Sequence, residues 1–406
     1  MRVVPVPLFL STLAAARPAA AVWAATGGRS SARRWALPAA LALLAAGGAA
    51  GEAVPLERLA ISAAESRVAT FAGRPALFLR LGSAMVEGLS FTDGIIEFDV
   101  ALPQERCFAG AVFRAEDDKT APGSTPTASY ESFYLRAHQS GNPDANQYTP
   151  VFHGVAGWQL YTGEGFSAPT RYPFGEWIAV RIVVAGSRAE VSVGDLELPA
   201  VSIGELGRPV AAGEVGLQVF GPTGAWFSAL RVTPQAAPPL RGQPPTPAVA
   251  PPGSLLSWSV SDAFPEAELE GRTALGPGEK EARRWTALHA ERSGVVNLAR
   301  VQGIGDGRDT AFARATLRCA RAGVKELRFG FSDRVRVYLD GTLLYAGRDG
   351  YGSRDYRFLG TIGGHDSVYL PLAAGEHELW LAVSDDGGGW GLLAWFPDPE
   401  GLVLAE

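Results

Sequence analysis

The sequence has few cysteines, histidines and lysines, and each scarcity narrows what the protein can be. Two cysteines in 406 residues exclude a disulfide-rich scaffold and a zinc module built on cysteines. The five histidines form neither an H-x-H nor an H-x-x-x-H pattern, so no zinc motif is present. Arginine supplies nearly all the basic residues, so an arginine at any one position is weak evidence for a binding site. The net charge of −6 argues against nucleic acid as the main partner.

The two cysteines fall in different predicted domains, which argues against a disulfide between them on geometric grounds. We expect Cys107 and Cys319 to be buried free thiols that pack as small apolar residues. Nothing near either residue supplies a histidine or a helix N-terminus, so neither has the surroundings of a nucleophile.

The first 52 residues have the composition of an export segment. Residues 1–51 contain five arginines and no acidic residue, and Arg33-Arg34 precede an apolar run at 35–46. A basic flank, a short Ala/Leu core and small residues after it are the parts of a secretory signal. The run is too short and too alanine-rich for a membrane span. We expect a periplasmic or extracellular protein with no membrane span after signal removal.

A proline-rich stretch at 235–253 divides the rest of the chain. Dense proline without periodicity predicts an extended, semi-rigid spacer that proteases can reach. It separates a first domain at 53–234 from a second at 254–406.

Both domains are predicted to be all-β, with no amphipathic helix of useful length. Ile96, Phe98 and Val100 alternate with Glu97 and Asp99, the period of two of a half-buried strand. Residues 184–188 and the pair Asp340-Gly341 are hairpin signals. The pattern indicates two antiparallel β-sandwich (jelly-roll) domains joined by the linker. Strand-like runs cover 76–81, 96–102, 107–115, 130–138, 158–161, 177–184, 188–193, 214–220, 226–232, 327–331, 335–339, 343–345, 367–370, 378–383 and 392–395.

One face of the 130–138 strand carries side chains suited to a sugar. Alternation puts Tyr134, Arg136 and His138 on one side and Phe133 and Leu135 on the other. Aromatic rings cover the C–H face of a pyranose, and charged or amide groups bond its hydroxyls. The alternative is a solvated sheet face with ordinary cross-strand pairs. The predicted ligand-binding set adds neighbours on other strands and is Tyr134, Arg136, His138, Gln159 and Tyr161.

Glu131 lies among apolar neighbours on the opposite face of that strand. A buried carboxylate must pair with a cation or stay protonated, and Arg114 is the nearest cation by sequence. The pair is therefore a candidate catalytic acid or base with its supporting arginine. The alternative is a structural ion pair.

The loop at 139–148 is rich in side-chain oxygens, with Asn142, Asp144 and Asn146 spaced as in a calcium loop. Gln147 stands where an EF-hand needs glycine and His153 where it needs glutamate, which excludes that motif. A looser Ca²⁺ site or an ordered polar loop remains open. No other cofactor is expected.

Two hydrolase signatures are incomplete or missing. Glu97-Phe98-Asp99 begins the carboxylate pattern of a laminarinase-type strand, but Leu102 stands where the last glutamate belongs. No G-x-S-x-G motif of a serine hydrolase occurs.

Over about 65–233 the chain resembles the concanavalin A-like laminin-G/3-keto-disaccharide hydrolase superfamily. The segments that carry the resemblance are FTDGIIEFDV (91–100), FAGAVFR (108–114), YESF (130–133) and PFGEW (173–177). It implies a jelly-roll sandwich, a carbohydrate-related role, and a match of Arg114 and Glu131 to the family's Arg and Glu. Phe133 and Arg136 replace the family's Gln and Asp, which favours a binding protein over a hydrolase.

The second domain resembles the galactose-binding-like accessory sandwiches of glycosidases. The resemblance rests on VRVYLDG (335–341) and GEHEL (375–379). Trp390 follows a run of glycines, and we expect it to be exposed as a stacking platform for a sugar.

Taken together, these features favour an exported carbohydrate-binding protein with two β-sandwich modules. One alternative is a hydrolase of (3-keto-)disaccharides or glycosides acting from the concave face of the first domain. A second alternative is an envelope scaffold or adhesion protein.

Overall fold

The computed structural model describes residues 51, 53–116, 128–355 and 357–404. The predicted export segment, apart from residue 51, lies outside them. None of the described residues is in an α-helix, and none forms a helix long and apolar enough to cross a membrane. The described part is all-β and antiparallel, as predicted.

Strands β1 to β13 lie before the proline-rich stretch and β14 to β24 after it. The first set is β1 Leu59–Phe71, β2 Arg74–Val86, β3 Gly94–Ala101, β4 Phe108–Ala115, β5 Tyr130–Arg136, β6 Asn146–Phe152, β7 Val155–Ala156, β8 Ser167–Ala168, β9 Trp177–Ala185, β10 Arg188–Val193, β11 Val201–Ile203, β12 Glu214–Phe220 and β13 Ala225–Pro234. The second set is β14 Ser257–Ser261, β15 Trp285–His289, β16 Val296–Asn297, β17 Thr310–Cys319, β18 Gly323–Ser332, β19 Arg334–Leu339, β20 Thr342–Arg348, β21 Asp366–Leu372, β22 Gly375–Ser384, β23 Gly391–Trp395 and β24 Leu402–Leu404. Short 3₁₀ helices lie at Leu56–Arg58, Ala137–Gln139, Glu266–Leu269 and Leu298–Arg300.

The first thirteen strands form one continuous sheet that folds over itself. Its order is β11-β10-β9-β3-β13-β2-β12-β4-β5-β6-β7, with β1 on β2 and β8 on β6. Strand β2 joins the two halves because it pairs with β13 near one end and β12 near the other. Phe98 and Val180 from one half share a core with Ala111 and Phe133 from the other. This is a sandwich closed by burial of the alternating apolar residues.

The outward face of one half carries a row of aromatic side chains. Across neighbouring strands the register aligns Trp177, Ala101, Trp226, Phe78 and Arg67. The guanidinium of Arg67 lies 4.0 Å from the centre of the Phe78 ring and 4.9 Å from that of Trp226. We call this the aromatic row; its rings are half-buried.

The second group of strands builds a sandwich from two sheets. The larger has the order β15-β14-β17-β22-β19-β20 with β24 on β17, and the smaller has the order β16-β23-β18-β21. Leu381 and Val337 of the larger sheet pack with Phe329 and Leu392 of the smaller one. Phe152, from the first group, belongs to this same core, so the two sandwiches are in apolar contact.

The strand predictions hold at most positions. Both hairpins are present, β9–β10 around 186–187 and β19–β20 around Asp340-Gly341. The predicted strand at 158–161 is wrong, because those residues form a turn. The strands that were not predicted are β1, β6, β7, β8, β11, β14, β15, β16, β17 and β24. Strand β6 contains mainly polar residues, and its burial comes from the tertiary fold.

The proline-rich stretch contains no strand and is held to both sandwiches at several points, for example by the hydrogen bond from the amide of Ala250 to the carbonyl of Arg292 (2.8 Å). The carboxylate of Glu190, which is buried, accepts hydrogen bonds from the backbone amides of Arg241 (2.7 Å) and Gly242 (2.6 Å). Pro244 lies against Gly204. The described residues fall within one compact unit, and independent folding of the two halves stays a prediction.

Both cysteines are buried free thiols, as predicted. Burial raises the pKa of Cys107 to about 12, so its thiolate is absent at neutral pH. The thiol of Cys319 donates to the carbonyl of Arg321. Neither has the chemistry of a nucleophile.

The anchor at Glu190 predicts how fast trypsin cuts the linker. Glu190→Ala removes both bonds to the backbone around the Arg241–Gly242 peptide bond, so cleavage there should become about ten-fold faster. Glu197→Ala is the matched control, because Glu197 contacts only the exposed side chain of Arg241. Mass spectrometry of timed digests gives the rates. Equal rates for both variants would contradict the anchor.

Candidate functional site

The predicted ligand face on β5 is present, but it is covered. Tyr134 and Arg136 are each about 95% buried. The Arg136 guanidinium donates to the carbonyl of Asp144 (2.8 Å), the hydroxyl of Tyr134 (3.1 Å) and the side-chain oxygen of Gln147. The amide of Gln147 in turn donates to the carbonyls of Trp158 and Tyr161. The turn at 158–161 therefore lies across this face and satisfies its polar groups.

His138 lies at the margin of the same face. Its ring meets Phe108 edge-on, with centroids 5.0 Å apart. Burial lowers the pKa of His138, and the positive charges of Arg106 and Arg136 lower it further. The imidazole is therefore neutral at physiological pH. A ligand role for Tyr134, Arg136 and His138 stays a prediction.

Glu131 and Arg114 do not form the expected ion pair. Glu131 is fully buried, and its carboxyl accepts from the hydroxyl of Tyr148 (2.6 Å) and the backbone amide of Arg208 (3.1 Å). Burial raises its pKa. Arg114 pairs instead with Asp93 at 2.8 Å and donates to the carbonyls of Thr92 and Gly186. Both side chains tie loops to the sandwich, and a catalytic role for them stays a prediction.

The oxygen-rich loop is internally bonded. The side chain of Asn146 donates to Thr170 and accepts from the amide of Ala168, while Asp144 faces Arg136 at 3.5 Å. Asn142 donates to the side chain of Gln139. In the described part of the chain no three His, Cys, Asp or Glu side chains form a metal-binding group. A calcium ion bound by Asn142, Asp144 and Asn146 would compete with Arg136 for the carboxylate of Asp144. The calcium site stays a prediction.

Gln159 joins the two sandwiches. Its backbone amide donates to the carbonyl of Gly388 (2.8 Å), and its carbonyl accepts from the amide of Ile362 (2.9 Å). Its side-chain oxygen accepts from the hydroxyl of Ser332 (2.7 Å), and its side-chain nitrogen donates to the carbonyl of Leu359 (3.1 Å). Gln159 is fully buried. We call the contact of 158–161 with these second-sandwich residues the seam.

Glycine is required where the seam is tightest. A Cβ at Gly388, whose φ is +119°, would lie 2.7 Å from the indole of Trp158. The glycine run at 387–389 therefore lets the second sandwich approach the turn. It does not present Trp390, which is fully buried and donates its indole N–H to the carbonyl of Val383 at 2.9 Å. The expected exposure of Trp390 is wrong.

Buried carboxyl groups lie beside the seam. Asp333 accepts from the side chain of Gln159 and from the amide of Asp386. Asp385 is 5% exposed, and neither of its carboxylate oxygens has a hydrogen-bond partner of good geometry. The pKa of Asp385 is raised to about 7, mainly by burial and also by the negative charge of Asp333, while the backbone amides of Gly387 and Gly389 oppose the shift.

A cavity of about 610 Å³ opens between the two sandwiches and the proline-rich stretch. Leu160, Phe166 and Leu393 contribute apolar wall, and residues 245–248 of the linker close one side. The polar residues that line it include Tyr161, Glu205, His289, Glu291 and Arg300. We call this cavity the cleft. Of the predicted ligand residues, Tyr161 is the one that lines it.

Glu291 is the best-placed acid in the cleft. Its carboxyl accepts from the hydroxyl of Tyr161 at 2.5 Å, and that hydroxyl accepts from the side chain of Asn297 at 3.2 Å. Burial raises the pKa of Glu291; Tyr161 and Arg300 oppose the shift, and the negative charge of Glu205 adds to it. The cleft thus places a carboxyl group with a raised pKa near a second, exposed carboxylate, a pairing typical of functional sites.

Sequence reasoning missed Glu205, His289, Glu291 and Arg300. Glu205 and Glu291 lie in loops of different sandwiches, 86 positions apart in the printed sequence. No local pattern links them, since folding of both modules and the linker brings them together.

Comparison with known proteins finds similarity to solved structures at low TM-scores. No protein-family model matches the chain, and no curated protein matches it. Among solved structures, the carbohydrate-binding module CBM66 from Bacillus subtilis is 12% identical, with a TM-score of 0.30, over 42% of this chain and 92% of that chain. A Bacillus subtilis protein with a galectin-like fold is 11% identical, with a TM-score of 0.33, over 44% of this chain and 89% of that chain. A glycosidic hydrolase is 12% identical, with a TM-score of 0.31, over 45% of this chain and 93% of that chain.

The carboxyl of Asp385 predicts a pH dependence of stability. Its folded-state pKa lies above the unfolded value near 3.8. The protonated carboxyl therefore contributes its full stabilisation below about pH 4. This contribution to the free energy of unfolding is lost as the pH rises to about 7, and the loss is on the order of 4 kcal/mol at most. Asp385→Asn should be more stable than wild type at pH 8 and gain less at pH 4.5, by chemical denaturation. Asp355→Asn, at an exposed site, is the control; the same pH profile in both variants would contradict the assignment.

Proposed function

We propose that this is an exported carbohydrate-binding protein and that the sugar binds in the cleft. The observation that carries the proposal is the cleft itself, where both sandwiches and the linker contribute to one cavity of about 610 Å³. A cavity of this size accommodates a mono- or disaccharide. The resemblance of residues 65–233 to carbohydrate-active sandwiches agrees with this choice.

The chemistry of the cleft suits a ligand with apolar faces and many hydroxyls. Leu160, Phe166 and Leu393 offer apolar surface to the C–H face of a sugar ring. Arg300 provides charged donors, and the partly buried carboxyl of Glu291 can donate or accept according to its protonation. An aliphatic ligand would leave these polar groups desolvated without partners, which costs affinity.

This proposal predicts which side chains control affinity. After a glycan array identifies a ligand, Arg300→Ala and Tyr161→Phe should each weaken its binding about ten-fold or more, because each removes a polar group from the cleft. Isothermal titration calorimetry gives the Kd. Arg284→Ala is the control, since Arg284 is exposed and does not line the cleft.

Two results would contradict the proposal. One is that the folded protein binds no glycan on the array. The other is that both cleft variants fold normally and keep the wild-type Kd, in which case the β5 face is the next candidate.

Glycoside hydrolysis in the same cleft is a second candidate. It is favoured by Glu291, whose raised pKa suits a general acid, facing a cavity that also contains Glu205. Glu291 would protonate the leaving glycosidic oxygen as its C–O bond breaks. Glu205 would accept a proton from the attacking water, and two sugars would leave.

Glu291→Gln separates the two candidates because it preserves shape and removes the proton donor. If the protein is a hydrolase, the variant should lose at least about 100-fold in turnover while Kd changes by only a few-fold. Reducing-sugar release from the array ligand measures turnover. Glu376→Gln, at an exposed position of β22 in the second sandwich, is the control. Absence of turnover in wild type leaves binding as the function.

A further inference from the structure

Strand β1 has a long open edge. All its pairs are with β2, from Leu59↔Val86 to Phe71↔Arg74, and no other described residue pairs with it. The edge of thirteen residues is about 40 Å long. Its sequence, LAISAAESRVATF, contains none of the Pro, Gly or Lys residues that blunt natural edges. Val68 is 61% exposed and Ile61 41%.

The hairpin that joins β1 to β2 shows which backbone groups of β1 are not bonded to β2. Ala72 and Gly73 form a two-residue loop with positive φ at both positions, so the flanking Phe71 and Arg74 make a hydrogen-bonded pair. Counting back by twos, the odd-numbered residues of β1 bond to β2. The even-numbered residues therefore direct their N–H and C=O groups away from β2: Ala60, Ser62, Ala64, Ser66, Val68 and Thr70.

The charges of β1 are self-complementary about Ser66. If two copies pair antiparallel with Ser66 opposite Ser66, Glu65 of each copy lies opposite Arg67 of the other. These are non-hydrogen-bonded positions, where opposed side chains approach most closely. Centring the pairing on Ala64 or Val68 instead leaves both charges opposite apolar residues. Centring it on Glu65 or Arg67 opposes like charges.

We propose that β1 is a dimerisation edge, at which a second copy of this chain adds its own β1 in the register centred on Ser66. Glu65 already accepts from Arg67 at 2.6 Å and from Arg80 at 3.0 Å within one copy. Pairing extends this contact into a row of alternating charge that crosses from one copy to the next: Arg80 and Glu65 of one copy, then Arg67 of the other, which lies over the ring of its own Phe78. The aromatic row of each copy ends at Arg67, so the dimer joins two aromatic rows into one surface.

Complementary charge reversals test the register. Glu65→Arg places arginine opposite arginine, and Arg67→Glu places glutamate opposite glutamate, so each variant alone should raise the dimer Kd at least about ten-fold. A mixture of the two variants restores opposite charges at both positions and should dimerise. Sedimentation of the full protein at up to about 100 µM measures all three. Arg328→Glu is the control, because Arg328 is an exposed residue of β18 in the second sandwich, where it pairs with Glu326.

Ser66→Pro is a second variant that does not depend on charge. It removes one outward N–H at the centre of the pairing, which an edge strand tolerates, and it should also abolish the dimer. Circular dichroism checks that each variant is folded.

The proposal fails if wild type is monomeric throughout this range, even if the edge then binds an extended peptide from another protein. It also fails if the reversals dimerise like wild type, or if the mixture stays monomeric while wild type dimerises.

Discussion

The packing of one turn between the two sandwiches governs the rest of the structure. Residues 158–161 carry backbone groups that cannot reach water once the sandwiches meet, so each must find a partner there. Gln159 meets that requirement with bonds to Gly388, Ile362, Leu359 and Ser332. The same turn covers the polar face of β5 through Gln147 and leads into Tyr161 at the cleft. The seam therefore determines which surfaces are closed and which stay accessible.

Much of the fold could be predicted from the sequence because its signals are local. The alternation at 96–100 and the Asp340-Gly341 pair each specify a structure within a few residues. The strand predicted at 158–161 was wrong because that prediction also rested on a local signal. Their side chains alternate like a strand, but the bonds that decide their conformation come from residues more than 170 positions away. Strand β6 was missed because polar residues such as Asn146 and Gln147 are buried only by the tertiary fold.

The candidate site could be predicted only in fragments. Tyr161 was chosen for an aromatic ring and a hydroxyl, and the structure does place it at the cleft. Trp390 was chosen because glycines precede it, yet those glycines serve close packing against Trp158 and the ring is buried. Composition can identify residue types that suit a ligand. Whether those residues meet in a cavity depends on how two modules dock, which no local pattern encodes.

The proline-rich stretch has a role beyond that of a tether, because residues 245–248 form part of the cleft wall. Modular proteins usually evolve by exchanging domains across linkers, which leaves each domain's site intact. In this chain such an exchange would remove a wall of the cavity along with the donor module. The two sandwiches and the segment between them are therefore expected to be inherited together, with the length of the linker as constrained as the residues of either sandwich.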